Sequence, residues 1–166
     1  MGDNLVQESF APAAAKVEPG QASVGLTGRP SYTDAQRREL MATAVKAKDY
    51  SYSPYSKFRV GAGLLTESGK IYMGCNVENA SYGGCICAER TVYVKAVSEG
   101  HTRFPAIAVA TDLDYFAAPC GMCRQFMAEF GTETVVILTR AGSTEEYQER
   151  TVGGLLPESF GPKDLQ

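Results

Sequence analysis

The chain has 166 residues, of which 44% are hydrophobic and 21% charged, as expected for one globular domain with a sizeable core. Its formal net charge of −3 gives no basic footprint for phosphate backbones, so no nucleic-acid partner is expected. No apolar run approaches the roughly 18 residues that span a bilayer, and the N-terminus has no basic segment followed by an apolar core, so we expect a cytoplasmic protein with no membrane partner.

The first 30 residues are rich in Ala, Gly, Pro and Gln and show no hydrophobic periodicity, so a disordered N-terminal extension is expected over 1–30. A folded domain is expected over 31–166. It begins with "SYTDAQRRELMATAVKAKDY", which predicts a helix because Thr33 and Gln36 form a capping box. The apolar stripe of this helix is Leu40, Met41, Ala44 and Val45.

The elements that follow alternate between strands and helices. "KFRVGAGLL" and "KIYMGCNV" are predicted strands joined by the turn "TESG", and "ICAERTVYVKAVSEG" is a helix that ends at Gly100. "PAIAVATD" and "TVVILT" are predicted buried strands. Between them, "CGMCRQFMAEFG" predicts a helix that ends at Gly131, and its expected inward side chains are Met122, Phe126 and Met127.

This order predicts an α/β fold with three layers, in which a central mixed β-sheet is flanked by helices. The hairpin makes the sheet mixed rather than wholly parallel. In such folds ligands bind at strand ends beside helix N-termini, and two cysteine clusters lie at predicted helix N-termini.

Five cysteines leave three interpretations of the pair Cys120 and Cys123: a disulfide, a redox dithiol or half of a metal site. An odd count without a signal peptide disfavours a disulfide framework. Because Cys87 opens another predicted helix, three thiolates can meet on one zinc ion, with the fourth position open for water. A closed four-ligand structural site would need one further ligand, and the candidates are Cys75, Cys85 and His101.

A carboxylate and two arginines accompany the cysteines. Glu89 lies two residues after Cys87, where it can move a proton between water and substrate. Arg90 and Arg124 are candidates to hydrogen-bond a zinc-bound sulfur, which would offset the negative charge of three thiolates. Cys-Ala-Glu followed by Pro-Cys-x-x-Cys is the three-cysteine form of the zinc deaminase signature.

These residues resemble cytidine deaminase of the small homotetrameric type, over roughly residues 33–165. The matching segments are "SPYSKFRVGAGL", "NVENASYGGCICAER", "PCGMCRQ" and "LLPESFGPKDL". The resemblance implies one zinc per subunit on Cys87, Cys120 and Cys123, with Glu89 as the proton shuttle, and it makes 31–166 the catalytic domain.

The resemblance also implies a substrate site. Asn76 and Glu78 match the pair that binds the ribose 3′-hydroxyl, Phe58 matches an aromatic residue of the base pocket, and Ala88 matches contacts to the pyrimidine edge. Tyr82 and Phe160 match residues that reach into the site of a neighbouring subunit.

The function implied is hydrolytic deamination of free cytidine and 2′-deoxycytidine to the uridine forms, with release of ammonia, in pyrimidine salvage. Deamination of another aminopyrimidine such as blasticidin S, deamination of a polynucleotide and a zinc-stabilised binding module are the alternatives. The "NVEN" segment, the acidic net charge and Glu89, respectively, favour cytidine over these three.

Overall fold

The computed structural model describes residues 32–165, so the extension expected over 1–30 lies outside the described residues. The elements in chain order are helix α1 (Asp34–Ala47), strands β1 (Val60–Leu65) and β2 (Ile71–Cys75), helix α2 (Ala88–Ser98), strand β3 (Ala106–Thr111), helix α3 (Gly121–Ala128), strands β4 (Val135–Thr139) and β5 (Tyr147–Thr151), and helix α4 (Val152–Leu155). Short 3₁₀ turns cover Lys48–Tyr50, Tyr82–Gly84 and Pro162–Leu165.

The five strands form one mixed sheet in the order β2-β1-β3-β4-β5, which confirms the predicted fold class. β3 and β4 pair in parallel, and every other neighbouring pair is antiparallel. The parallel pair requires a crossover, and α3 supplies it. Its N-terminus is therefore placed at the end of the sheet where β3 finishes.

The two faces of the sheet have different helical partners. On one face, the alanines of β3 pack with Leu40, Met41 and Ala44 of α1. On the other face, Ile107 and Val109 of the same strand pack with Val92 of α2 and Met127 of α3. Alternation of side chains along a strand produces this separation, and the result is the expected three-layer arrangement.

Helix α1 approaches β1 closely because two glycines leave space for it. A Cβ atom at Gly61 would lie 2.1 Å from the carbonyl oxygen of Ala44, and one at Gly63 would lie 2.6 Å from that of Leu40. The predicted capping box of α1 is confirmed, since Gln36 N donates to Thr33 Oγ1 at 3.2 Å and Thr33 N donates to Gln36 Oε1 at 2.9 Å.

One prediction about α3 is wrong. Met122 was expected to face inward, but its side chain is 67% exposed, whereas Cys123 is fully buried. The buried face consists of Cys123 and Met127, four residues apart, with Phe126 beside them. Met122 precedes that face by about a quarter turn, so it lies in solvent.

The sequence reading also missed β5 and α4. The strand "YQERT" is polar and half-buried because it forms an edge of the sheet, where one side has no neighbouring strand. None of the helices between residues 32 and 165 has both the length and the apolar character needed to cross a membrane.

Candidate metal centre

Three cysteines meet where the N-termini of α2 and α3 come together. Cys87 is the N-cap residue of α2, Cys120 is the N-cap residue of α3, and Cys123 lies in the first turn of α3. Their Sγ atoms all lie within 4.8 Å of one another. Each helix N-terminus carries a partial positive charge, which favours the thiolate form of these side chains.

The three thiols share protons when no metal is present. The pKa of Cys87 is lowered to about 5, chiefly because the thiol of Cys123 donates a hydrogen bond to it, with further help from Arg90. The same hydrogen bond and burial raise the pKa of Cys123. One sulfur is thus an anion and another holds a proton that a metal ion would displace.

The donor set fits zinc. Thiolates are soft ligands that select zinc among the common divalent ions, and three of them leave one of four tetrahedral positions for a ligand from outside the protein. Within the described part of the chain, no other cluster of His, Cys, Asp or Glu side chains has this geometry.

The candidates for a fourth protein ligand lie elsewhere. The thiol of Cys75 donates to the carbonyl oxygen of Tyr50 at 3.1 Å, and Cys85 Sγ accepts from Asn79 N at 3.3 Å. His101 packs against the ring of Tyr72, with centroids 5.6 Å apart. The closed four-ligand site is therefore not formed, and the remaining arrangement is that of a catalytic zinc centre.

The carboxyl group of Glu89 is buried beside the thiols. Its residue is 5% exposed and lies in the first turn of α2, two positions after Cys87. Burial raises the pKa of Glu89, and the negative charge of Cys87 adds to this effect. The side chain is thus a proton carrier held against the metal ligands and shielded from bulk water.

The two arginines have different partners. Arg90 places Nη2 3.8 Å from Cys87 Sγ and 3.1 Å from the carbonyl oxygen of Cys85. Arg124 instead donates to the carbonyl oxygens of Pro119, at 2.7 Å, and Leu155, at 3.0 Å. Arg90 is therefore the guanidinium that offsets thiolate charge, and Arg124 fixes the backbone that leads into Cys120.

A cavity of about 350 Å³ opens beside this centre. It is lined by Tyr55, Ser56, Glu78, Tyr82 and Cys85. The Glu78 carboxylate accepts hydrogen bonds from the backbone N–H of Tyr55, at 2.9 Å, and of Ser56, at 3.2 Å, and from the Ser56 hydroxyl. The Ser56 hydroxyl is the main reason why the pKa of Glu78 is lowered, so this carboxyl is an anion at neutral pH.

Asn76 is occupied within the chain. Its Nδ2 donates to the carbonyl oxygen of Phe58 at 2.8 Å, and its Oδ1 accepts from Val60 N at 2.9 Å and Ser51 Oγ at 2.6 Å. The amide therefore fixes the backbone on both sides of Arg59. Ala88 is fully buried at the start of α2, next to Cys87.

The other two residues of the predicted substrate site are exposed in the single chain. Tyr82 is 74% exposed and Phe160 is 58% exposed. Phe160 does not line the cavity, and its carbonyl oxygen accepts from Gln125 Nε2 at 2.8 Å. Sequence reasoning missed Tyr55 and Ser56, for which the hydroxyl-rich run "SYSPYS" before β1 is the one available signal.

A mixed sheet with a three-thiolate centre and a buried carboxyl group at two helix N-termini defines a zinc-dependent enzyme. A family model described as "Cytidine and deoxycytidylate deaminase zinc-binding region" matches residues 34–139. The cytidine deaminase of Sporosarcina psychrophila is 48% identical over 129 residues, which are 76% of this chain and 93% of that protein.

Two further proteins agree. The cytidine deaminase of Halalkalibacterium halodurans is 45% identical over 130 residues, or 78% of this chain and 97% of that one. The crystal structure of cytidine deaminase from Burkholderia pseudomallei superposes with a TM-score of 0.71 at 43% identity, covering 78% of this chain and 100% of that one. The chain belongs to the cytidine and deoxycytidylate deaminase family, and its cofactor is one zinc ion per chain.

Proposed function

We propose that the chain catalyses hydrolytic deamination of free cytidine and 2′-deoxycytidine to uridine and 2′-deoxyuridine, with release of ammonia. The observation that carries this proposal is the buried Glu89 carboxyl group beside three clustered thiols. Membership of the deaminase family supports it. The catalytic domain is residues 31–166, and the role is pyrimidine salvage in the cytoplasm.

The residues of the chain divide the chemistry. Zinc, when bound, supplies a Lewis acid that makes water a nucleophile at neutral pH. Glu89 takes a proton from the attacking water and delivers it to N3 of the pyrimidine. It then carries the second proton to the amine on C4, so that a C–O bond forms, the C–N bond breaks and ammonia leaves.

Other side chains hold the nucleoside. Glu78 and Asn76 bind the ribose 3′-hydroxyl, Phe58 lines the base pocket, and the start of α2 at Ala88 contacts the pyrimidine edge. Glu78 is suited to this role because its carboxylate lines the cavity. The same negative charge disfavours a 3′-phosphate, and a polynucleotide substrate is therefore not expected.

A substrate panel tests the proposal directly. The purified chain with one equivalent of zinc should release ammonia from cytidine and 2′-deoxycytidine. It should act far more slowly on deoxycytidylate and on cytosine within single-stranded DNA. Turnover of the polynucleotide at a rate comparable to that of cytidine would contradict the proposed substrate class.

Replacing Glu78 with glutamine should raise KM for cytidine by about one to two orders of magnitude, since a hydrogen bond to a charged group is worth roughly 1.5–3 kcal/mol. Zinc content should not change. Steady-state kinetics and atomic absorption check both statements. Glu67→Gln is the control, because Glu67 pairs with Arg103 at 3.6 Å and does not line the cavity. Equal KM values for the two variants would reject the role of Glu78.

We further propose a homotetramer in which Tyr82 and Phe160 complete the site of a neighbouring subunit. Both rings are exposed in the single chain, and burial of exposed aromatic side chains across an interface is a large source of binding energy. The free sides of Tyr50, Tyr52 and Tyr55, each more than half exposed, lie on the same part of the sequence as the cavity.

Phe160→Ala should raise KM for cytidine by about 2- to 10-fold, since stacking of an aromatic ring contributes roughly 0.5–1.5 kcal/mol beyond the area that it buries. Leu165→Ala is the control, because Leu165 is an exposed apolar residue of the same C-terminal segment. Analytical ultracentrifugation should show four chains per particle. A fully active monomer at the assay concentration would contradict both the assembly and the role of Phe160.

A further inference from the structure

We propose that Asp112 and Arg59 are positioning residues that hold the substrate segment, defined as residues 51–59, against the connection that leads to the zinc ligands of α3. This inference rests on the proposed roles of Phe58 and Glu78. It concerns an ion-pair cluster that has no part in the chemistry itself.

The cluster is built on a buried lysine. The side chain of Lys48 is 8% exposed, and its Nζ lies 2.8 Å from Asp112 Oδ1 and 3.3 Å from the carbonyl oxygen of Thr111. The loop after β4 closes over it, since a Cβ atom at Gly142 would lie 2.5 Å from Nζ. Because a buried ammonium group needs a charged partner, Lys48 fixes the carboxylate of Asp112 in one place.

Arg59 binds the carboxylate that Lys48 holds. Its Nε lies 2.9 Å from Asp112 Oδ2 and its Nη2 lies 3.0 Å from Oδ1, which is the two-bond geometry of a strong arginine–carboxylate pair. Asp49 lies 3.7 Å from the third nitrogen of the same guanidinium, so two cations face two anions. The two basic partners lower the pKa of Asp112, which keeps the pair charged at neutral pH.

The cluster completes the attachment of the substrate segment. Arg59 directly follows Phe58, whose carbonyl oxygen accepts from Asn76, while Glu78 holds the backbone N–H groups of Tyr55 and Ser56. These contacts connect the segment to the chain that follows β2. The pair between Arg59 and Asp112 connects it to the end of β3, from which the chain runs to Cys120. The position of Phe58 relative to the zinc ligands is thereby fixed from two directions.

The test compares Arg59→Ala with Arg140→Ala. Arg140 is a matched control because it is similarly exposed, at 41% against 46%, and pairs at 2.9 Å with Asp114 of the same connection without contacting the substrate segment. We expect Arg59→Ala to raise KM for cytidine by about 3- to 10-fold with kcat within about twofold of wild type, a range reduced because the pair is half exposed. Zinc content should be unchanged in both variants, and Arg140→Ala should retain the wild-type KM.

Hydrogen–deuterium exchange read by mass spectrometry adds a measurement that does not depend on activity. Peptides covering residues 53–60 should exchange faster in Arg59→Ala and at the wild-type rate in Arg140→Ala. Arg59→Lys should recover only part of the KM, because an ammonium group cannot form both hydrogen bonds of the guanidinium. Identical KM values and exchange rates for the two alanine variants would overturn the inference.

A double-mutant comparison tests whether Arg59 acts through Asp112. Since Asp112→Asn alone leaves Lys48 buried without its partner, the background is the pair Lys48→Met and Asp112→Asn. Adding Arg59→Ala there should change KM little, and an undiminished effect would overturn the inference. Phe58→Ala is measured in parallel. If it leaves KM unchanged, the proposed base pocket fails and the inference fails with it. If it raises KM while Arg59→Ala does not, the inference fails alone.

Discussion

Replacing Glu89 with glutamine is expected to lower kcat by about 10²–10⁴-fold while the chain still folds and binds zinc. Glutamine keeps the shape and the hydrogen-bonding capacity of the side chain in its buried position, but it cannot accept and release the proton. Since one group serves two successive proton transfers in the proposed mechanism, no neighbouring residue replaces it. Steady-state kinetics, atomic absorption and circular dichroism together separate loss of chemistry from loss of structure.

Glu99→Gln is the matched control for this substitution. Glu99 belongs to the opposite end of the same helix, where it pairs with Lys70 at 2.7 Å and accepts from the Tyr72 hydroxyl at 2.7 Å. Its replacement should leave kcat unchanged. A Glu89→Gln enzyme with near-normal kcat would show that the proton moves by another route.

Replacing Cys123 with serine is expected to reduce the zinc content from one equivalent to nearly none and to abolish activity. Cys123 is fully buried between Cys87 and the core, so its loss removes a ligand and leaves the other two sulfurs without a complete site. Because metal binding is coupled to folding, the melting temperature should fall by on the order of 10 °C. Exhaustive chelation of the wild-type chain should produce the same two effects.

The remaining cysteines provide the controls. Cys75→Ser should retain zinc and activity, since the thiol of Cys75 contacts the carbonyl oxygen of Tyr50 and not the metal ligands. Cys85→Ser should retain zinc, which tests the same point for the cysteine nearest in sequence to Cys87. Loss of zinc in either of these variants, or its retention after Cys123→Ser, would contradict the assigned ligand set.

Features of short range in the chain could be predicted from its sequence. The capping box at Thr33, the buried strands "AIAVAT" and "VVILT", and the mixed character of the sheet follow from local patterns of polarity and turn residues. The zinc donors were predictable for a similar reason. Cysteines that directly precede or open two helices lie at helix N-termini wherever those helices pack, and packing on one face of the sheet then brings the N-termini together.

Elements without a local pattern were missed or misjudged. The edge strand β5 is half-buried and polar, so its sequence shows neither alternation nor an apolar run. The helical period predicts a buried face for α3, but the position of that face is set by what it packs against. Insertion of Cys123 between the sheet and α2 turned Met122 outward.

The sequence by itself determined the order of the elements, the class of fold and the residue types of the metal centre, because these depend on periodicity and on short spacings. Only the tertiary structure decided that Arg90 and not Arg124 approaches Cys87, that the Asn76 amide is used to fix Phe58, and that Lys48 is buried while its neighbour Asp49 is exposed. Each of these outcomes depends on partners at least thirty residues away or on a choice between neighbouring side chains of similar reach. Such choices are made by packing and by the need to pair buried charges, for which a local pattern carries no signal.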